Sequence, residues 1–172
     1  EGEKLKALPE VQRVVPNVIA RTTLMDSVPL INADDVWALR DNRSRNITGQ
    51  GIKIAIIDTG VDYTHPDLGG CLGQGCKVIG GYDFVNNDTD PMDDMGHGTH
   101  VTATAAGNGV LKGVAPDANI LAYKVFDAEG IGYFDDIIES IERAVLDDAD
   151  IISMSLGASC FLGGYNEGCG PS

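Results

Sequence analysis

The sequence predicts an α/β domain: a three-layer, largely parallel sheet with helices on both faces. Three observations carry this. Apolar runs at residues 52–58, 119–126 and 150–156 read as buried strands. Helical patterns at His97–Ala106 and Phe134–Leu146 fall between them. That alternation of strand and helix favours parallel pairing with crossover helices.

The elements follow in order. Residues 1–26 carry apolar positions Leu5, Leu8, Val11, Val14, Val15 and Val18, broken by Pro9 and Pro16. They fit a helix end, a turn and a short strand, or a plain N-terminal strand. Ser27 to Arg40, with Ala33, Val36, Trp37 and Leu39, predicts a short helix, and Asp41 to Gln50 a polar loop. Ile52 to Asp58 is a strand; Lys77 to Phe84 is a second, weakened by Gly80-Gly81. His97 to Ala106 predicts a helix of small residues, and Asn119 to Phe126 a strand. Phe134 to Leu146 is the clearest amphipathic helix, with Phe134, Ile137, Ile138, Ile141, Ala144 and Val145 on one face. Asp150 to Leu156 closes the pattern as a strand. Functional groups in such sheets gather at the carboxyl ends of strands, where Asp58 lies.

A chain of 172 residues, 43% hydrophobic and 22% charged, can bury a real core. Its net charge of −14 repels nucleic acid and anionic membranes, which excludes both as expected partners. No apolar run approaches the ~20 residues of a membrane span. The four cysteines form two local pairs, Cys71/Cys76 and Cys160/Cys169. Local disulfides are the simplest reading. Free thiols and a zinc site are the alternatives, the last without C-x2-C spacing. Disulfides would imply an oxidising compartment and hence secretion. Asn46-Ile47-Thr48 and Asn87-Asp88-Thr89 are glycosylation triplets, which also arise by chance.

Two short phrases carry chemistry. Asp58 ends an apolar strand and is followed by the Thr59-Gly60 turn. A carboxylate so placed needs hydrogen bonds to be buried, and once buried it can fix a histidine tautomer; alone, it also reads as a structural turn residue. His97 is flanked by Gly96 and Gly98 and opens a helix, as a general base would. His100 follows at i+3, which raises a metal reading with His65 or a carboxylate. Zincin-type sites instead place histidines at i and i+4 around a glutamate.

Together Asp58-Thr59-Gly60, His65-Pro66-Asp67-Leu68, His97-Gly98-Thr99-His100-Val101, Gly113-Val114-Ala115-Pro116 and Ile151-Ile152-Ser153-Met154-Ser155-Leu156-Gly157 resemble the subtilisin-like serine proteases, the subtilases. The resemblance covers residues 27–160 strongly and, more weakly, likens residues 1–26 to the end of an inhibitory prodomain. It implies a serine endopeptidase, residues 27–172 being the N-terminal part of its catalytic domain. Asp58 would be the catalytic Asp and His97 the catalytic base. Gly130, Ile131 and Gly132 would pair with the substrate backbone. Phe134 and Ile137 would line an apolar subsite, and Ser155, Leu156 and Gly157 one wall of the specificity pocket. Polypeptide substrates, the C-terminal half of the catalytic domain and the chain's own prodomain are the implied partners. No catalytic cofactor is implied.

The sequence departs from the family in three ways. Thr102-Ala103 replaces a frequent Ala-Gly. Residues 107–110 are short where many subtilases carry a calcium loop. No Gly-Thr-Ser-Met-Ala phrase supplies the nucleophile, so the isolated chain is expected to be inactive. A non-catalytic peptide-binding protein on the same fold is the rival reading. Finally, Asp83, Asp88, Asp90, Asp93 and Asp94 crowd together before His97. This reads as a solvated acidic loop or, by likeness to thermitase-like subtilases, a structural calcium loop with Asp83, Asp88 and Asp90 as ligands.

Overall fold

A computed structural model describes residues 28–157 of the 172. The prodomain-like start and the Cys160/Cys169 pair lie outside the described residues. The elements, in chain order, are helix α1 (Ala33–Trp37), strand β1 (Lys53–Asp58), a 3-10 turn (Pro66–Leu68), β2 (Val78–Asp83), helix α2 (His97–Ala106), β3 (Asn119–Lys124), helix α3 (Phe134–Leu146) and β4 (Ile151–Met154). The sheet has the order β2-β3-β1-β4 and every pairing is parallel. The α/β architecture is therefore as the sequence predicts. The helix bounds at residues 97–106 and 134–146 match expectation, and the strands are one to three residues shorter at their ends.

Period-two alternation along β1 sorts its residues between two cores. Ile54 and Ile56 pack with Val61, Leu68, Val78, Ile120, Ala122 and Ala106 on the α2 side. Ala55 and Ile57 pack with Phe84, Leu121, Tyr123, Val125, Ile137 and Ala144 on the α3 side. Asp58 and Lys124 continue the α2-side phase of their strands, and they stand opposite each other in the register of β1 and β3.

The glycine pair in β2 does not end the strand. A register shift falls between Val78 and Gly80, and a Cβ on Gly81 would lie 1.8 Å from the Ala122 carbonyl oxygen. Only glycine allows β2 to approach β3 there.

α3 corrects the sequence reading of its buried face. Ile137, Ser140 and Ala144 are buried and Ile141 packs beside them. Phe134, Ile138 and Val145 are 68%, 55% and 64% exposed. The buried stripe is narrower than the apolar one, because a single sheet face contacts only one side of the helix.

Cys71 and Cys76 form a disulfide across the loop before β2. Among the described residues no helix is long and apolar enough to cross a membrane.

Candidate active site

Asp58 is fully buried at the carboxyl end of β1. Its Oδ1 accepts the Thr59 N–H at 2.7 Å and lies 2.7 Å from His97 Nδ1. A carboxylate only accepts, so Nδ1 carries the hydrogen of this bond. Asp58 Oδ2 is buried with no hydrogen-bond partner among the described residues. The His97 side chain is 48% exposed while Asp58 is wholly shielded. The pair thus presents a half-exposed imidazole backed by a fully buried carboxyl group.

The local chain explains this placement. β1 delivers Asp58 on the α2 face, and α2 begins at Gly96, whose φ of 100° turns the chain into the helix at His97. Gly98 lets α2 touch β1, since a Cβ there would sit 2.1 Å from the Gly60 carbonyl oxygen and 3.1 Å from Asp58 Cβ. The Gly98 N–H donates to Thr59 Oγ1 at 2.9 Å, joining helix to turn.

A cleft of about 190 Å³ opens over the pair, lined by Asp58, Thr59, Met95, His97, Phe126, Gly130, Ser155, Leu156 and Gly157. Of the sequence-predicted residues, Asp58, His97, Gly130 and Ser155 to Gly157 therefore meet in one place. Ile131 and Gly132 follow Gly130 in the chain but do not line the cleft. The loop before them closes on Asp127, whose Oδ1 accepts from the Glu129 and Ile131 N–H groups at 3.0 and 2.8 Å. Among the described residues, none of that loop's backbone hydrogen bonds uses Gly132. Phe134 is exposed beyond the cleft, and Ile137 is a core residue under α3.

The metal readings gain little from the geometry. His65 Nδ1 accepts the Asp67 N–H at the start of the 3-10 turn, away from His97, and His100 is exposed. Asp67 turns its carboxylate onto the short 107–113 loop, accepting the Val110 N–H at 2.7 Å and the Leu111 N–H at 3.3 Å. Asp83 is buried, its oxygens taken by the Asn86 N–H and Nδ2 at 2.8 and 2.9 Å. Asp88 accepts from the Asp90 N–H, and Asp90 from the Tyr63 hydroxyl. The Asp90 carboxylate beside it pushes the Tyr63 hydroxyl up to about 12. As arranged, Asp83, Asp88 and Asp90 do not converge on a calcium position. Among the described residues no three His, Cys, Asp or Glu side chains gather as a metal would need.

Three contributors escaped the sequence reading. Thr59 reads as a turn residue and Asp93 as part of an acidic run. Lys124 reads as the polar end of a strand. Its ammonium is 1% exposed and donates to the carbonyls of Thr59 and Phe126 at 2.8 and 2.9 Å and to Asp94 Oδ1 at 2.5 Å. A lysine ending a strand that the Ile-rich Asp58 strand must pair with was the available signal.

A parallel α/β sheet whose strand end presents a buried Asp to a helix-opening His places a carboxyl–imidazole pair at one cleft. The sequence comparisons name the family. Residues 49–170 match the subtilase family, peptidase S8, and this chain belongs to it. Relatives include the minor extracellular protease Vpr of Bacillus subtilis, 45% identical over 92% of this chain and 22% of that protein. A thermophilic serine proteinase of Bacillus sp. strain AK1 is 50% identical over 64% of this chain and 27% of its own length. An intracellular serine protease of Paenibacillus polymyxa is 44% identical over 76% of this chain and 38% of its own length. The chain thus spans well under half the length of each of these relatives.

Proposed function

We propose that this chain supplies the base and its orienting carboxylate to a serine endopeptidase. The observation that carries the reading is the 2.7 Å contact of His97 Nδ1 with the buried Asp58, on the floor of a cleft rimmed by Gly130 and Ser155 to Gly157. In this reading Asp58 accepts the Nδ1 hydrogen and holds the ring. Nε2 takes the proton of a serine hydroxyl as the oxygen attacks the peptide carbonyl. The same proton then passes to the leaving amine, and an acyl-enzyme remains. Water enters, Nε2 takes its proton, and the acid product departs with the serine regenerated. Asp58 stabilises the imidazolium in each half without taking a proton.

The serine and the oxyanion donors are proposed to come from chain outside this sequence, so residues 27–172 act with a C-terminal half and residues 1–26 end a prodomain. The substrate backbone is proposed to add as a strand along Gly130 to Gly132, with Phe134 beside an apolar subsite and Ser155, Leu156 and Gly157 forming one wall of the specificity pocket. Ile137, buried in the core, supports that subsite from beneath rather than lining it. Secretion is part of the proposal, motivated by the Cys71–Cys76 bridge and the extracellular relative. A structural calcium at residues 83–90, with Asp83, Asp88 and Asp90 as ligands, stays in it as an expectation.

The test is inhibition of peptide hydrolysis by the longer protein that contains this segment. A serine-directed reagent should abolish it and a metal chelator should not remove the chemistry. The 172-residue chain alone should hydrolyse nothing at enzymatic rates. Activity of the isolated chain that a chelator abolishes would sink the reading in favour of a His97/His100 metal centre. Peptide binding without hydrolysis by the longer protein would favour a non-catalytic binder.

A further inference from the structure

Asp93 sits in the acidic run before α2, where charge density alone reads as a demand for a cation. Its surroundings answer that demand with hydrogen-bond donors. Oδ1 accepts from Thr59 Oγ1 at 2.9 Å, the Met95 N–H at 3.0 Å and the Gly96 N–H at 2.8 Å. Oδ2 accepts from the Thr99 N–H at 2.8 Å and from the Thr99 hydroxyl. Burial alone would raise the Asp93 carboxyl. The bonds from the Thr99 hydroxyl and from the N–H groups of Gly96, Thr99 and Met95 outweigh it and hold the group below the usual carboxylate range. An ionised carboxylate also suits the positive end of α2.

The donors fall into two sets. Met95, Gly96 and Thr99 belong to the entry and first turn of α2, which carries His97. Thr59 belongs to the turn after β1, which carries Asp58. Asp93 is thus a clamp between the elements that hold the two partners of the 2.7 Å contact.

Thr59 is fixed from every side. Its N–H donates to Asp58 Oδ1, its hydroxyl donates to Asp93 and accepts from the Gly98 N–H, and its carbonyl accepts from Lys124 Nζ. The neighbouring Asp94 anchors that same lysine. Thr99 adds a further tie, its hydroxyl oxygen accepting the Asp62 N–H at 2.9 Å.

We propose that Asp93 is a positioning residue that sets the His97–Asp58 contact by clamping Thr59 to the first turn of α2, and that it is not a cation ligand. The proposal rests on the reading of Asp58 and His97 as orienter and base. Asp93 touches neither reacting atoms nor substrate; it acts through Thr59 and Thr99. In Asp93→Asn one acceptor oxygen becomes an NH₂ group facing N–H and O–H donors. The helix must then move relative to β1, and a misplacement of about 1 Å can cost a reaction on the order of 10²-fold.

The test has two readouts. In the longer protein that contains this segment, the downfield proton resonance of His97 Nδ1–H reports the bond to Asp58 directly. It should be present in the parent, lost or moved upfield in Asp93→Asn and in Thr59→Val, and kept in Thr59→Ser, which restores the hydroxyl. In the longer protein, Asp93→Asn and Thr59→Val should lower kcat on the order of 10²-fold with KM changed less than about threefold. Should Asp93→Asn fail to fold, the Thr59 pair decides: equal behaviour of Val and Ser overturns the proposal. An unchanged resonance and kcat in Asp93→Asn overturn it, as does a calcium-dependent melting shift that Asp93→Asn abolishes. The expected resonance pattern in a longer protein without peptidase activity would defeat the protease reading and leave the clamp standing. Full activity with variants indistinguishable from the parent would do the reverse.

Discussion

The two faces of this sheet are built by different means. On the α3 side, Leu121, Tyr123, Val125, Ile57 and Phe84 meet Ile137 and Ala144 of the helix, and apolar area does the holding. On the α2 side the helix contributes Gly98, Thr102 and Ala106 as its buried residues, none of them large. Its entry is fixed by hydrogen bonds that Asp93 accepts from Thr59 and Thr99, that Thr59 accepts from Gly98, and that Thr99 accepts from Asp62. Hydrophobic contact is nondirectional and tolerates shifts of tenths of an ångström. Hydrogen bonds and a bare glycine do not. The lesson lies in how the two helices dock: the one that meets the sheet with small residues and hydrogen bonds carries the contact whose distance matters.

The largest break should come at the contact itself. In the longer protein His97→Ala is expected to lower kcat by roughly 10⁶ and Asp58→Ala by roughly 10⁴, magnitudes taken from the triad of subtilisin, a member of this family. Next comes Gly98→Ala. Its Cβ would lie 2.1 Å from the Gly60 carbonyl oxygen, so α2 must retreat. A loss on the order of 10²-fold in kcat should accompany a measurable loss of stability, because the atom met is backbone. A variant as active as the parent would show that α2 can shift without harm.

The opposite face should answer differently. Leu121→Ala removes a buried side chain from the α3-side core and should cost about 2–5 kcal/mol. Denaturant unfolding measures the cost, and the His97 Nδ1–H resonance should persist at temperatures where the variant stays folded. Loss of that resonance with the fold intact would erase the distinction between the faces.

Acid should then loosen the α2 side first. The Asp93 carboxyl titrates lower in the folded protein than in the unfolded chain. The unfolded state therefore binds the proton more readily. The stability this contributes is fully present above the unfolded value of about 4 and is lost as pH falls through the folded value. Denaturation midpoints of the parent and Asp93→Asn, followed from pH 7 to pH 3, should converge as pH falls. Parallel curves would contradict this. The smallest expected effect is a calcium-dependent rise in melting temperature that Asp88→Ala removes, because the carboxylates at 83, 88 and 90 already serve other hydrogen bonds.

The sequence made the α/β class legible because strands and helices alternate with distinct periods, and helix bounds at His97–Ala106 and Phe134–Leu146 followed from a run of small residues and from an amphipathic stripe. Asp58 and His97 were legible because their phrases are specific. The rest depends on distances between elements. The clamp at Asp93 exists only once α2 docks on β1, and Lys124 reaches Thr59 only through the parallel register of β1 with β3. Exposure of Phe134, Ile138 and Val145 was hidden for a similar reason, since periodicity marks an apolar stripe but not how much of it one sheet face can cover.

The most direct test of the Asp58–His97 pair as a single catalytic unit is the single-turnover rate of peptide hydrolysis by the Asp58→Ala/His97→Ala double variant of the longer protein. The account predicts a rate within a few-fold of His97→Ala alone, because a carboxylate has nothing to orient once the ring is gone. A double variant slower than His97→Ala by a further factor near 10⁴ would contradict it, since each residue would then act on the reaction independently.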